Sequence, residues 1–355
     1  MHRREILRWA GVSLCAGALS RMAEAWGAER SERTGLGIAI YCLGLRRRQL
    51  QQRNPAHDLF EPLAFLEHCH QLGAGGIQAS LGVRDAGYVK QLRQRAEQLA
   101  MYVEGNVSPP RDAADVDRFA AELRTAAAAG ATIVRTVIMP GRRYEQFATA
   151  EQFRRAAEHG RKSLELAEPV AARHRVRLAV ENHKDQRVPE RLELFRRLNS
   201  QWIGACVDTG NSFTLLEDPL AVVEAYLPWA CTVHLKDQAV RAYDDGFLFA
   251  DVPLGQGFLD LRRMVEMLRK AHPEIRFVLE TITRDPLRVP CLTERYWATL
   301  ALVPGGDLAR TLRTVRTHAA QALPTVAGLP LEKQAELEEH IVKEGLRYAR
   351  RELGV

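Results

Sequence analysis

Residues 177–211 read RLAVENHKDQRVPERLELFRRLNSQWIGACVDTGN. This stretch opens with an apolar run that ends in Glu181 and closes with a second apolar run that ends in Asp208. Both runs are short and apolar along their length, which is typical of parallel strands that are buried on both faces. Similar runs recur through the chain, separated by stretches with apolar residues every three to four positions. The alternation predicts repeated strand–helix units and a parallel sheet.

Eight such runs span residues 36–280. They are residues 36–41, 76–80, 101–104, 132–137, 177–181, 204–208, 232–234 and 276–280. Helical spacing occurs between them, for example at residues 62–72, 88–99, 114–129, 151–174 and 259–271. Eight units in about 250 residues favour a single-domain α/β fold, the (β/α)8 TIM barrel, over an open doubly wound sheet. We assign residues 35–290 to the barrel and residues 291–355 to C-terminal helices, namely the last barrel helix and an appendage.

The composition fits a globular protein that does not bind nucleic acid. The 355 residues are 46% hydrophobic and 26% charged, which allows a large core. The net charge of +6 is spread over predicted helices, and its short arginine clusters lack interleaved aromatic residues. The six cysteines contain no CxxC pair and lie mainly in apolar runs, which favours buried free thiols over disulfides.

The N-terminus carries a targeting pattern. Arg3 and Arg4 precede a short, weakly hydrophobic stretch at residues 9–19, which is too short to span a bilayer. We interpret residues 1–28 as a twin-arginine signal peptide and expect export, most simply to the periplasm, with no stable membrane anchor after its removal. A basic N-terminus on a cytoplasmic protein is the alternative.

Four consecutive runs end in a side chain that can bind a metal: Glu181, Asp208, His234 and Glu280. The C-terminal ends of all strands in a parallel barrel open on one face, so these side chains are expected to converge. A single acid at a strand end is commonly a helix cap or an ion-pair partner. Three carboxylates and an imidazole at one point would repel each other without a cation, and this oxygen-rich set favours Mn²⁺, Mg²⁺ or Co²⁺ over structural zinc.

The residues around these ligands resemble a known family. The resemblance is carried by Val180-Glu181-Asn182-His183, Val207-Asp208-Thr209-Gly210-Asn211, His234-Leu235-Lys236-Asp237 and Leu279-Glu280-Thr281. These motifs resemble the sugar phosphate isomerase/epimerase superfamily, whose members are xylose isomerase-like TIM barrels. The resemblance implies one divalent metal, Mn²⁺ first with Mg²⁺, Co²⁺ or Zn²⁺ as alternatives, and a small sugar or keto-sugar as substrate. Barrels of this family commonly form dimers or tetramers, so the resemblance also allows a homo-oligomer.

The same resemblance implies an isomerase or epimerase mechanism. Glu181 and Glu280 would act as the acid/base pair beside the substrate carbonyl, while the metal stabilises an enediolate. Polar residues near the strand ends are predicted to bind substrate: His183, Lys236, Gln78, Glu104, Asn211 and Tyr41. Asp237 is predicted to support the metal ligands from behind. Asn211 replaces a histidine of many relatives, which puts a second metal in doubt.

Other interpretations of these residues remain open. His183 could cap a loop, Lys236 and Asp237 could form an ion pair between loops, and Tyr41 could pack in the core. Arg135 lies inside its run, so a buried ion pair in the barrel is as plausible as a pocket role. The long loop after the seventh run contains Gly255-Gln256-Gly257, which we interpret as a turn near the site.

Three rival functions are weighed against the isomerase. A lyase or dehydratase acting on keto-sugars or keto-inositols would begin with the same proton abstraction. A phosphodiesterase like the apurinic endonucleases needs more histidines than this sequence places at the strand ends. A non-catalytic sugar-binding protein has no need for both Glu181 and Glu280.

Overall fold

The computed structural model describes residues 34–355, so the predicted signal peptide at residues 1–28 lies outside the described residues. The strands in this part of the chain are β1 (Gly37–Ala39), β2 (Gly76–Ala79), β3 (Tyr102–Asn106), β4 (Ile133–Thr136), β5 (Arg177–Glu181), β6 (Ile203–Asp208), β7 (Ala230–Leu235), β8 (Asp237–Tyr243), β9 (Gly246–Val252), β10 (Arg276–Leu279) and β11 (Leu287–Val289). Strands β1 to β7 and β10 pair in parallel and close into a barrel. The predicted (β/α)8 fold is therefore confirmed.

Helices surround this barrel. In residues 34–355 the α-helices are α1 (Gly44–Arg53), α2 (Pro62–Gln71), α3 (Ala86–Gln98), α4 (Val116–Ala128), α5 (Arg143–Gln146), α6 (Ala150–His174), α7 (Val188–Leu198), α8 (Pro219–Tyr226), α9 (Leu261–Ala271), α10 (Glu294–Trp297), α11 (Gly305–Thr317) and α12 (Leu331–Tyr348). Short 3₁₀ helices occupy Ile40–Leu43, Ala113–Asp115, Asn211–Leu215 and Leu227–Trp229, and a π-helical turn occupies Ala349–Leu353. None of the helices described is both long and apolar enough to cross a membrane.

Local sequence signals set where several helices begin. The side chains of Asp85, Asp218 and Asp260 each accept a hydrogen bond from a backbone N–H in the first turn of the following helix. Such N-caps satisfy donors that the helix cannot pair internally. The helices then present one apolar face to the barrel, as Leu261, Met264, Val265 and Leu268 do on α9.

The lower end of the barrel is closed by Tyr102. Its hydroxyl donates a hydrogen bond to the carbonyl oxygen of Phe277 across the barrel, at 2.7 Å. Gly37 and Gly76 make room for the phenol ring, since a Cβ at either position would overlap it. The opposite end, where the strands finish, is left for polar side chains.

A small antiparallel sheet, absent from the sequence prediction, extends the connection after β7. Strands β8 and β9 form a hairpin, and β11 pairs with β9. The sheet buries its own apolar cluster with α10 and α11, made of residues such as Phe213, Phe247, Phe249, Tyr296 and Val315. The alternating residues that flank Asp244-Asp245-Gly246 are a hairpin signal that the expectation of a simple loop overlooked.

The C-terminal helix α12 completes the helical layer. It packs against α1 and against β10, where the last barrel helix is expected. The buried carboxylate of Glu338 accepts hydrogen bonds from the backbone N–H groups of Leu45 and Arg46, at 2.9 and 2.8 Å. These donors belong to the first turn of α1 and have no partner within that helix.

The cysteines of the described residues agree with the sequence prediction. Cys42, Cys69, Cys206, Cys231 and Cys291 are all buried, and none of them is in a disulfide. They act as small apolar side chains in the core.

Candidate metal centre

The four candidate ligands lie together at the C-terminal end of the barrel. Glu181 and Asp208 are the last residues of β5 and β6, His234 is near the end of β7, and Glu280 follows β10. Asp208 pairs with His234 in the β6–β7 register, and the Glu280 N–H donates to the carbonyl of Leu235 at 3.1 Å. One ligand atom from each of the four side chains lies within 4.8 Å of the others.

His234 is oriented with one ring nitrogen toward this point. Its Nε2 lies 2.7 Å from the amide oxygen of Gln78, which as an acceptor places the imidazole proton on Nε2. Its Nδ1 has no hydrogen-bond partner among the residues described, although it is fully buried. This atom lies 3.4 Å from Glu280 Oε2 and 3.5 Å from Glu181 Oε2. A buried lone pair that faces carboxylate oxygens is suited to a metal ion.

The electrostatics of the four side chains also fit a cation. Burial raises the pKa of Asp208 to about 6, against the lowering effect of Lys236. Burial acts to lower the pKa of His234, yet Cys206 and the two glutamates hold it well above its usual value. Without a divalent cation, the cluster therefore favours a second proton on the imidazole, at Nδ1, and a metal ion bound there would replace that proton. Three carboxylates and one imidazole nitrogen form a donor set suited to one divalent cation.

The two glutamates are held by different cations. Burial acts to raise the pKa of Glu181, but Arg135 outweighs it and holds the pKa well below its usual value. The Arg135 Nε donates to Glu181 Oε2 at 2.7 Å, so the predicted alternative of a buried ion pair for Arg135 is confirmed. Lys236 Nζ lies 2.6 Å from Glu280 Oε2 and 2.8 Å from Asp208 Oδ2. Lys236 contacts two candidate ligands, while its predicted contact with substrate stays a prediction.

Two asparagines fix the loops that follow β5 and β6. The Asn182 side chain donates to the Asp208 carbonyl at 2.9 Å and accepts from the Asp208 N–H at 2.7 Å. The Asn211 amide donates to Glu181 Oε1 at 3.0 Å and accepts a hydrogen bond from Lys184. The Asp208 carboxylate accepts from the Asn211 backbone N–H at 2.7 Å. Neither Asn182 nor Lys184 was assigned a role from the sequence, although both lie in or beside the Glu181 motif.

Gln78 and Glu104 lie behind His234, deeper in the barrel. Gln78 Nε2 donates to Glu104 Oε2 at 3.1 Å, and the Thr232 hydroxyl donates to the same oxygen at 3.0 Å. These bonds make a chain that orients the Gln78 oxygen toward the imidazole of His234. Both side chains thus support His234 from β2 and β3. Their predicted contact with a substrate stays a prediction.

The remaining predicted residues lie at different distances from the ligands. Tyr41 is 40% exposed at the rim, and the guanidinium of Arg135 lies over its ring, 5.4 Å from the centroid. His183 is half-buried, and its Nδ1 has no hydrogen-bond partner in the described chain. Asp237 accepts hydrogen bonds from the N–H groups of Gly255 and Gly257, both at 2.9 Å. It thereby anchors the turn near the site.

Comparisons with known proteins agree with this architecture. A curated relative, 3-oxo-isoapionate decarboxylase of Pectobacterium atrosepticum, is 24% identical over 223 residues, which is 61% of this chain and 76% of that protein. Among solved structures, D-psicose 3-epimerase in the presence of D-fructose has a TM-score of 0.57 at 13% identity, covering 90% of this chain and 99% of that one. The 3-keto-D-glucoside 4-epimerase of E. coli has a TM-score of 0.52 at 14% identity, covering 80% and 100%.

A magnesium complex from Mycobacterium smegmatis, described as a xylose isomerase-like TIM barrel protein, has a TM-score of 0.52 at 15% identity, covering 80% of this chain and 97% of that one. At these identities the solved structures show a shared fold. Residues 66–301 match the sequence profile described as xylose isomerase-like TIM barrel. This match spans more than half of the sequence, and the chain belongs to that family.

Proposed function

We propose that this protein is a metal-dependent isomerase or epimerase that acts on small keto-sugars. One observation carries the proposal. Carboxylate oxygens of Glu181, Asp208 and Glu280 lie close to the Nδ1 of His234, which has no hydrogen-bond partner among the described residues. The four side chains would hold one divalent cation, with Mn²⁺ as the first candidate. Epimerases among the similar solved structures are consistent with this reaction.

The two glutamates are placed to exchange a proton with substrate. When bound, a divalent cation supplies Lewis acidity that makes a C–H beside a carbonyl easier to deprotonate. One glutamate then removes the proton. Its return to the neighbouring carbon, with the hydroxyl proton passing to the former carbonyl oxygen, isomerises the sugar. Delivery of a proton to the opposite face of the same carbon by the other glutamate, after it has taken up a proton from water, epimerises the sugar. Arg135 and Lys236 hold Glu181 and Glu280 in their ionised forms, so each can accept a proton.

The burial of the centre supports such chemistry. Glu181 and His234 are fully buried, and Glu280 is only 6% exposed. Charges that are fixed in advance stabilise developing negative charge more strongly where water is excluded. The buried arrangement therefore suits the formation of an enediolate-like species from a keto-sugar.

Metal analysis and a turnover assay test this proposal together. The purified protein is analysed for bound metal, loaded with Mn²⁺ and incubated with a panel of keto-sugars whose products are resolved by mass and by chromatography. A product of unchanged mass, formed by the wild type and lost in Glu280→Gln, is the expected result. The exposed Glu274→Gln variant serves as the matched control. A protein that binds no divalent metal, or isomer formation that persists in Glu280→Gln, would contradict the proposal.

A lyase or decarboxylase is the second candidate. It is favoured by the similarity to 3-oxo-isoapionate decarboxylase and by a structural match to a probable 3-DHS dehydratase from Bacillus anthracis, with a TM-score of 0.51 at 13% identity, covering 76% of this chain and 98% of that one. The same buried cations would stabilise the negative charge left when CO₂ or a β-substituent departs. A product lighter by CO₂ or by water, in the same assay, would favour this candidate.

Export through the twin-arginine route is proposed from Arg3 and Arg4 and the short, weakly hydrophobic stretch at residues 9–19. Conservative replacement of both by lysine is expected to leave the full-length protein in the cytoplasm, as measured by fractionation of the expressing cells. Equal periplasmic recovery of the double variant and the wild type would contradict it.

A further inference from the structure

Lys184 is a buried cation that contacts no carboxylate of the described residues. It lies in the loop after β5 and is 4% exposed. Its Nζ donates a hydrogen bond to the neutral amide oxygen of Asn211, and no ion pair joins it to a carboxylate of the described residues. Lys236 is equally buried, yet it has two carboxylates within 2.8 Å. A buried ammonium that contacts no carboxylate is costly, so this one is suited to an anion that comes from outside the chain.

Arg284 adds a second unpaired cation on the same side of the centre. It follows β10, is half-buried, and makes no hydrogen bond or ion pair within residues 34–355. Its electrostatic effect reaches Lys184: burial, together with Lys236 and Arg284, lowers the pKa of Lys184 to about 8. The loops after β5 and β10 thus hold two positive side chains that act on each other electrostatically at the C-terminal end of the barrel.

The carboxylates of the centre form ion pairs with other cations rather than with Lys184 or Arg284. The carboxylates of Glu181, Asp208 and Glu280 are already offset by Arg135 and Lys236, which contact them directly, and by the proposed divalent cation. Asp208 and Asp251 act on Lys184 electrostatically, but neither carboxylate forms an ion pair with its Nζ. A neutral sugar would leave the Lys184 ammonium without a carboxylate in direct contact.

We propose that Lys184 and Arg284 bind the carboxylate of an acidic keto-sugar, so that the substrate is a keto-aldonic acid rather than a neutral keto-sugar. The inference rests on the proposed function and names its substrate class. Asn211 links the two parts of the site, because its amide accepts from Lys184 and donates to Glu181. A carboxylate at Lys184 would therefore lie about one side chain away from the acid/base pair, which suits a carbonyl a few carbons from the acid group.

Paired acids and alcohols test this assignment. Binding of D-gluconate and of its neutral counterpart D-glucitol to the Mn²⁺-loaded full-length protein is measured by calorimetry, and D-ribonate and D-ribitol provide a shorter pair. At least one acid is expected to bind about tenfold or more tightly than its alcohol, as charge-assisted hydrogen bonds allow. Lys184→Met removes the charge while keeping length, and should reduce the preference to less than about twofold without changing the Mn²⁺ content or the affinity for the alcohol.

Two further variants keep the test decisive. Lys90→Met, an exposed lysine on α3, is the matched control and should retain the preference. Arg284→Gln, at a half-buried position, should weaken the binding of the acid even if Lys184→Met fails to fold. A preference that survives in both Lys184→Met and Arg284→Gln would mean that the metal binds the acid, and the proposal would be wrong.

Failure of the inference is distinguishable from failure of the proposed function. If Mn²⁺ binds but no acid binds more tightly than its alcohol, the carboxylate site is refuted and the metal-dependent function stands. If glucose 6-phosphate binds more tightly than gluconate and Lys184→Met abolishes this, the site recognises phosphate instead. If no divalent metal binds at all, the proposed function itself fails.

Discussion

Loading with Mn²⁺ should stabilise the protein, and Asp208→Asn should remove most of that stabilisation. Asp208 Oδ1 accepts hydrogen bonds from the N–H groups of Gly210 and Asn211 at 2.9 and 2.7 Å, and an asparagine oxygen can keep both. Oδ2, which lies 2.8 Å from Lys236 Nζ, is the atom whose charge is lost. The substitution therefore changes the donor set while the loop after β6 retains its anchoring bonds.

The size of the effect follows from linkage. Free Mn²⁺ at about 100 times its dissociation constant stabilises the native state by about 2.7 kcal/mol. An unfolding entropy of about 2.1 cal/mol/K per residue gives about 0.75 kcal/mol/K for a chain of 355 residues, so the Tm should rise by about 4 °C. Two unit charges 4 Å apart interact by about 4 kcal/mol at an effective dielectric of about 20, so loss of a carboxylate should weaken binding at least about 100-fold. The Tm shift in the variant then falls below about 1 °C.

Differential scanning calorimetry with and without Mn²⁺ measures the shift. The quantity compared is the metal-induced change within each protein, because removing the Asp208 charge also alters the stability of the metal-free protein through Lys236. Glu274→Gln, an exposed carboxylate before β10, should keep the full shift. A wild type that gains no stability from Mn²⁺, Mg²⁺ or Co²⁺, or an Asp208→Asn variant with the wild-type shift, would refute the ligand assignment.

Three other variants probe the catalytic pair, the support of the ligands and the C-terminal helix. Glu280→Gln should lower the rate of isomer formation at saturating Mn²⁺ by about 10²–10⁴-fold with little change in the circular dichroism spectrum, because it removes a proton acceptor; near-normal turnover would exclude Glu280 from the acid/base pair. Gln78→Met should weaken Mn²⁺ binding by about 10–100-fold in calorimetric titrations, since the acceptor for His234 Nε2 is lost; unchanged affinity would show that the imidazole is oriented without it. Burial raises the pKa of Glu338 from 4.5 to about 7, so its stabilising contribution is complete below pH 4.5 and is lost as the pH rises through 7. Denaturant titrations measure the free energy of unfolding between pH 4.5 and pH 7. The wild type should lose up to about 3 kcal/mol more of it than Glu338→Gln as the pH rises. Parallel pH profiles of the two proteins would contradict the assignment.

The barrel could be predicted from the sequence because its signal is repeated. The predicted run at residues 177–181 coincides with β5 (Arg177–Glu181), and the other predicted runs differ from the observed barrel strands by a few residues at their ends. The hairpin of β8 and β9 was missed because it interrupts the repeat with antiparallel strands. Its apolar residues pack against α10 and α11 rather than the barrel, so the barrel pattern gave no reason to expect them.

The ligands could be located from the sequence for a topological reason. The end of each parallel strand reaches the same face of the barrel, so position along the strand is enough to bring Glu181, Asp208 and His234 together. The partners of these ligands depend instead on side-chain directions across the barrel. Gln78, expected to bind substrate, lies against His234, and Lys184, given no role, reaches Asn211. Strand spacing contains no information about such contacts.

Asn211 shows how one substitution can redirect a shared centre. The resemblance places a histidine of many relatives at this position, where an imidazole can contact a metal or a substrate. An imidazole offers two ring nitrogens, whereas the asparagine amide offers a donor and an acceptor side by side. In this chain the donor is directed to Glu181 and the acceptor to Lys184, so the side chain joins a candidate metal ligand to a buried cation. Because that cation contacts no carboxylate among the described residues, the asparagine would, on the proposed carboxylate site, position positive charge toward the substrate where relatives place an imidazole.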